Sequence, residues 1–259
     1  MKLNNKNLKY NDTQVIDKII KYIPKHERSK FFTDDELNQI EYKYALKIDF
    51  RNYFQFYYSL LKQTHLIIFT FFIRNDYNIF LLKIALFLIS LALFFFTNAL
   101  FFKDDSMHKI YEDEGKYDFL YQIPQTLYST IVSQVISSIL EQLSLSQDDM
   151  LDIKKEGINK IKEKTQKLIK CIKIKCIIFF TIGILLLFVF WYYLTAFCGV
   201  YYNTQIPLIK DTCISFLTSM LYPFILDLIP GIFRIISLRY KIKFLYIVSN
   251  IVTKLIGIL

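Results

Sequence analysis

The stretch "FLLKIALFLISLALFFFTNALFF", residues 80–102, carries one charge, and that constrains the fold more than any other feature. As a helix rising about 1.5 Å per residue it covers the roughly 30 Å of a bilayer's hydrocarbon. Inside hydrocarbon every backbone polar group must be satisfied within the chain, so such a segment points to helices and an all-α membrane protein. Lys83 sits near one end, where its stem can snorkel to the interface. "CIIFFTIGILLLFVFWYYLTAFCGVYY" (176–202) repeats the pattern. "CISFLTSMLYPFILDLIPGIFRIISL" (213–238) has the length but is interrupted by Pro223, Asp227, Pro230 and Arg234.

Composition agrees: 54% of residues are hydrophobic and 17% aromatic, with mean hydropathy +0.31 despite 32 Lys and Arg. The abundance of Phe, Tyr, Ile and Lys with only six Gly is what an AT-rich coding sequence produces, so single runs of Phe or Lys carry reduced weight. The net charge of +9 does not point to nucleic acid, because the bases cluster beside apolar runs, where topology places them. No cleavable signal peptide is visible, and an internal span can direct insertion instead.

Residues 119–145 read two ways. Leu127, Ile131, Val135, Ile139 and Leu143 recur every fourth residue, while Ser129, Ser133, Ser137 and Glu141 fall on another side. Such a helix lies on a membrane or packs inside a bundle with its polar stripe inward. The loop before it is acidic (Asp104, Asp105, Glu112, Asp113, Glu114, Asp118), whereas residues 147–175 hold nine lysines against five acids, which favours a crossing. Four spans follow, near 80–102, 119–145, 176–200 and 213–238. Thirteen Lys and Arg before residue 79, nine between 147 and 175, and four after 238 then share one side, so both ends are expected to be cytoplasmic.

Flanking these spans, the sequence predicts a cytoplasmic N-terminal region (1–78), a basic helix near 150–175 and a C-terminal interfacial helix (239–259). The capping-box pattern Thr33-Asp34-Asp35-Glu36 predicts a helix over about 34–62. Residues 53–73 are apolar, but Lys62 and His65 at their centre argue for an interfacial helix, or one packed under the bundle, over a fifth span.

Motifs for chemistry are absent. The glycines form no phosphate loop, and His26, His65 and His108 are scattered. A divalent-cation site at "MHKIYEDEG" (107–115) competes with a solvated acidic turn. The four cysteines contain no CxxC pair; Cys198 and Cys213 end and begin two spans on the same side, where either a disulfide or two free thiols fits. No metal, cofactor or enzyme activity is expected. Lys154, Lys155, Lys164, Lys167, Lys170, Lys173 and Lys175 beside the third span fit anionic lipid or ordinary positive-inside topology.

Several stretches together carry a likeness: Glu36-Leu37-Asn38, Tyr42, Ala45-Leu46, Asp49, Arg51, "YYSLLKQTHLIIFTFF" (57–72), "NDYN" (75–78), "NALFF" (98–102), "MHKIYEDEG", "NTQIPLIKDT" (203–212) and "LIPGIFRI" (228–235). In these the chain resembles a protist family of multi-spanning transmembrane proteins, in which the module also closes longer chains. The resemblance covers roughly residues 30–240 and implies a membrane protein without supplying catalytic residues.

The expected function is a structural or signalling membrane module that presents cytoplasmic helices to protein partners, with the lipid bilayer as its other partner. The alternative is a small channel or transporter built on Asp227 and the polar second helix. Counting from span centres puts Gln134 and Asp227 both about 3 Å past the midplane, and Glu141 and Arg234 both about 13 Å past it. An intramembrane seam of Gln134, Ser137, Glu141, Asp227 and Arg234 between the second and fourth spans follows. In it Arg234 reaches Glu141, with Lys83 as a competing partner for Glu141.

Overall fold

The computed structural model describes residues 22–74, 76–114, 119–146, 149–150 and 158–256, with the backbone alone given for His26, Phe119 and 158–164. Every regular element among them is helical. A 3-10 turn, Lys25–Phe31, leads into α1 (Asp34–Gln39), α2 (Tyr42–Ile48) and α3 (Tyr53–Thr64). The Thr33–Glu36 capping box forms, but α1 ends after six residues, so three short helices replace the continuous helix expected over 34–62. The breaks have tertiary causes. Freed carbonyls at the end of α1 and at Ile40 are taken up by Arg234 and by the Tyr246 hydroxyl, and extended Asp49 turns its carboxylate onto Arg51. Phe32, Leu37, Ile40, Ala45 and Ile48 close over Tyr246 as a small core. A second capping box, Asn52 with Gln55, then starts α3. The apolar stretch 53–73 is therefore α3 plus a π-helical turn, Ile68–Phe72, packed beneath the bundle.

Three helices are long and apolar enough to cross a membrane, at Phe80–Leu100, Thr165–Val200 and Gln205–Tyr240. The first is α4 (Phe80–Leu100), followed by the short α5 (Asp104–Glu112). Next comes α6 (Phe119–Ser144), whose polar residues keep its hydropathy below the other three. It is nevertheless packed inside-out: Leu127, Ile131, Val135 and Ile139 are exposed, whereas Ser129 and Ser133 are fully buried. Its polar stripe is thus turned into the bundle and its apolar stripe outward.

The long α7 (Ile158–Val200) corrects a second expectation. The basic helix near 150–175 and the span at 176–200 are a single 43-residue helix along the described part, about 65 Å long. Its interior holds no Pro, and Gly183 packs directly against Ile89, so nothing in the sequence ends the helix at the change from lysine to isoleucine. The fourth apolar stretch is two helices, α8 (Gln205–Leu226) and α9 (Leu228–Tyr240), parted at Asp227. Its start at Gln205 is eight residues earlier than the expected 213, because Pro207 falls in the first turn, where no N–H is required. The chain reverses at Lys241, in a left-handed conformation with φ 57°, and α10 (Lys243–Ile256) returns along α9. On α10, Phe244, Ile247, Ile251 and Leu255 form an exposed stripe, while Tyr246 and Ser249 are buried.

The bundle is tied at both ends. Leu82, Leu86, Ile89, Leu140 and Phe179 join α4, α6 and α7 at one end; Ala99, Phe102, Met107, Phe197 and Leu208 join α4, α5, α7 and α8 at the other. Lys83 does not snorkel. It is buried, and its Nζ donates to Asp76 at 3.0 Å and to the carbonyl of Ile73 at 2.6 Å, because the π-helical turn folds back under α4 and brings these acceptors to it. Removing one partner of a buried pair strands the other. Lys83→Ala should therefore destabilise by about 3–5 kcal/mol. Lys62→Ala, whose 2.8 Å contact with Asp34 is partly exposed, should cost about 1 kcal/mol or less. Unfolding of the two variants in mixed micelles measures the difference.

Candidate functional site

The break at Asp227 sets the chemistry of the interior. A helix interrupted in an apolar surround must have its freed polar groups answered by other side chains. Here α3 and α10 supply them. Tyr57 donates to the carbonyl of Phe224, in the last turn of α8, at 3.0 Å, while Tyr53 and Ser249 add hydrogen bonds to the carbonyls of Leu228 at 3.2 Å and Pro230 at 2.8 Å in the first turn of α9. Thr64 donates to Asp227 Oδ2 at 2.6 Å. The four donors cover both sides of the break. Tyr53 also packs against Gly231, where a Cβ would approach its ring to 2.9 Å.

One turn beyond, Arg234 is fully buried and its guanidinium is bound by four groups. It donates to Asp49 Oδ2 at 3.2 Å, to the carbonyls of Leu37 at 2.6 Å and Asn38 at 3.5 Å, and to Asn250 Oδ1 at 3.1 Å, with the Tyr246 ring 4.1 Å away. Asp49 also takes a fork from Arg51, at 2.8 and 3.0 Å. The expected pairing of Arg234 with Glu141 is thus replaced by one with Asp49, and Lys83, the other expected partner of Glu141, is held by Asp76. Asp227 faces Thr64 where the seam had set it opposite Gln134 and Ser137. The physical reason is that the N-terminal helices fold under α9 and present their own carboxylate and carbonyls, which no depth count along the spans could register. Burial alone would raise the Asp49 carboxyl. The Arg51 hydrogen bond and the charges of Arg51 and Arg234 outweigh it and hold the group below the ordinary carboxylate range.

The helices α6 and α8 are neighbours, but through different residues from those expected. Gln125 Nε2 donates to Asp211 Oδ2 at 3.1 Å. Asn98 Oδ1 accepts from Ser129 at 2.7 Å and from Ser215 at 3.1 Å, and Thr97 meets Ser133. These side chains form a closed, buried plug across α4, α6 and α8. The signal was present in the sequence. Gln125, Ser129, Ser133 and Ser137 on α6, and Asp211, Ser215 and Ser219 on α8, recur at spacing four, but a span begun at residue 213 leaves Asp211 outside.

Past the plug the same three helices part. From Leu86 to Phe94 on α4, Gln134 to Gln142 on α6, and Ser219 to Leu226 on α8 they wall a cavity of about 970 Å³, floored by α3, α10 and the π-helical turn. Gln134, Ser137 and Glu141 all line it; Asp227 and Arg234 are not among its lining residues. Ser90 and Ser137 also line it through other atoms, while their hydroxyl oxygens are buried away from it. Lys175 and Asp149 pair at 2.6 Å near its mouth, with Lys254 also on the lining.

The remaining candidates are dispersed. Lys167, Lys170 and Lys173 are exposed on α7; Lys154 and Lys155 lie outside the described residues, as does the side chain of Lys164. Cys198 and Cys213 are free thiols, one half-buried and one exposed. His108 meets Glu112 at 3.1 Å on the surface, and no group of three or more His, Cys, Asp or Glu fit for a metal occurs among the described residues.

Two outcomes follow. Asp49, with its pKa lowered, contributes stability that is complete above the unfolded carboxylate value of about 4 and is lost as pH falls through the folded one. Asp49→Ala should strand two buried guanidiniums and cost about 3–5 kcal/mol at neutral pH, with the gap to the wild type narrowing only below about pH 4. Asn98→Leu should cost about 1–3 kcal/mol in all, because Ser129 and Ser215 lose their shared acceptor while each keeps the Thr126 carbonyl within reach. Thermal melts in detergent across a pH series read both.

The chain matches no family model, no curated protein and no solved structure.

Proposed function

We propose that this chain is a four-span integral membrane protein with both ends cytoplasmic, and that it forms a pathway for a small polar solute. The channel or transporter reading thus takes precedence over the anchoring module. The single observation that supports it most is the cavity of about 970 Å³ between α4, α6 and α8, whose lining includes the polar side chains of Gln134, Ser138 and Gln142. Polar side chains on the wall of a space this size suit hydration. The fourth crossing is α6, supported by its exposed apolar stripe and inward serines. In this reading the cavity opens toward the cytoplasm and the plug of Asn98, Gln125, Ser129, Asp211 and Ser215 seals the outer half. The likeness to a protist membrane family is part of the same proposal.

The anchoring reading has its own support in α7, whose described residues Ile158–Lys175 extend roughly 27 Å beyond Cys176 and carry exposed lysines. Purified protein in liposomes separates the two. Solute flux that disappears when Ser137→Leu fills the cavity supports the pathway. Protein-free rates, together with protein capture by the 158–175 segment, support the anchor. Tags at either end, and the sequon Asn11-Asp12-Thr13, should stay inaccessible from outside intact cells.

A further inference from the structure

We propose that α9 and α10 form a paired amphipathic anchor that lies along the membrane surface, at the end of α8 that carries Asp227, and binds anionic phospholipid. This rests on the reading of α8 as a membrane crossing and not on the solute pathway.

Length sets the depth of the pair. The 22 residues of α8 rise about 33 Å, enough by themselves to cross the hydrocarbon. Phe216, midway along α8, packs on Phe87 and Phe94 of α4, with ring centroids 6.0 and 5.5 Å apart. Asp227, eleven residues further on, is therefore level with the first turn of α4, and α9 begins where that crossing ends. The pair is closed as one unit. At its turn the Ile242 N–H donates to the Ser237 carbonyl at 3.0 Å and the Ser237 hydroxyl to the Ile242 carbonyl at 2.8 Å. Away from the turn, Ser249 on Pro230 and Arg234 on Asn250 fasten α10 to α9.

The outer surface of the pair is apolar and basic. An exposed stripe on α8, Leu217, Leu221 and Ile225, runs on into Ile229, Ile232 and Ile236 of α9. On α10, Phe244, Ile247, Ile251 and Leu255 repeat the helical spacing. Arg239, Lys241 and Lys243 are exposed around the turn, and among the described residues no carboxylate pairs with them. From residue 228 to 259 the sequence contains no Asp or Glu. Apolar stripes flanked by bases alone complement a surface that is oily within and negative at its rim, which is the chemistry of an anionic bilayer. A protein partner would not account for a stripe that continues unbroken from a membrane-crossing helix.

The test is fluorescence quenching of single tryptophans in the full chain, reconstituted in vesicles of phosphatidylcholine and phosphatidylserine with bromine on the acyl chains of one lipid or the other. In a Trp191→Phe background, Ile232→Trp and Ile251→Trp report on the pair, and Leu217→Trp reports on the crossing. All three should be quenched. For Ile232→Trp and Ile251→Trp, brominated phosphatidylserine should quench more than brominated phosphatidylcholine at the same mole fraction. High salt should remove that excess, as should replacing Arg239, Lys241 and Lys243 together by Gln. An unchanged melting temperature shows that the triple variant is folded. Equal quenching by the two lipids, or an excess that survives the triple variant, overturns the anionic-lipid site. Quenching of Leu217→Trp without quenching of Ile232→Trp and Ile251→Trp overturns lipid as the occupant and assigns the stripes to a protein, whether a partner or a second copy. An unquenched Leu217→Trp overturns the crossing, and the anchor with it.

Discussion

The rest of the structure depends on how the interruption at Asp227 is answered. An unbroken apolar helix satisfies its own backbone, but a helix parted in a membrane leaves carbonyls and a carboxylate that lipid cannot accommodate. Tyr57 and Thr64 from α3 provide those hydrogen bonds at Phe224 and Asp227, Tyr53 from α3 and Ser249 from α10 tie onto the first turn of α9, and Arg234 binds Asp49, Leu37 and Asn250 beyond it. The terminal helices are consequently fixed to the broken helix. Their fold into short pieces follows from the same need, since a continuous helix over 34–62 would have presented neither the Leu37 carbonyl nor the Asp49 carboxylate to Arg234.

With the break held, α8 stays beside α6 and α4 in its first half and diverges from them in its second. Over the first half, hydroxyls and amides meet within hydrogen-bond reach and close the interior. Over the second, α3 and α10 occupy the space below the bundle, and the cavity is what remains between them. The plug and the cavity are thus successive parts of one polar face on α6.

Much of this architecture was legible in the sequence. The apolar runs at 80–102 and 176–200 have one reading, and spacing-four serines opposite spacing-four aliphatics already described an inward polar stripe on α6. The break near Asp227 was visible in its two prolines. What could not be read was which polar groups face each other. Counting depth along straight spans placed Gln134 by Asp227 and Glu141 by Arg234. The actual partners, Thr64 and Asp49, are more than 160 residues away in a region with no span of its own. Pairing across such separations is set by tertiary packing, and local periodicity carries no trace of it. The fusion of the lysine segment with the third apolar run into α7 is hidden for the opposite reason: composition changes at Cys176 while helix propensity continues across it.

The central claim is that α6 crosses the membrane with its inner polar face open to cytoplasmic water and its outer polar face sealed. Single cysteines along α6, in a background with Cys171, Cys176, Cys198 and Cys213 replaced by Ser, measure this directly with a membrane-impermeant thiol reagent applied from either side. The account predicts that Ser137→Cys reacts from the cytoplasmic side only, that Ser129→Cys reacts from neither side, and that Ile139→Cys, facing lipid, is likewise silent. Reaction of Ser129→Cys from the cytoplasmic side, or equal reaction of Ser137→Cys and Ile139→Cys, would contradict it.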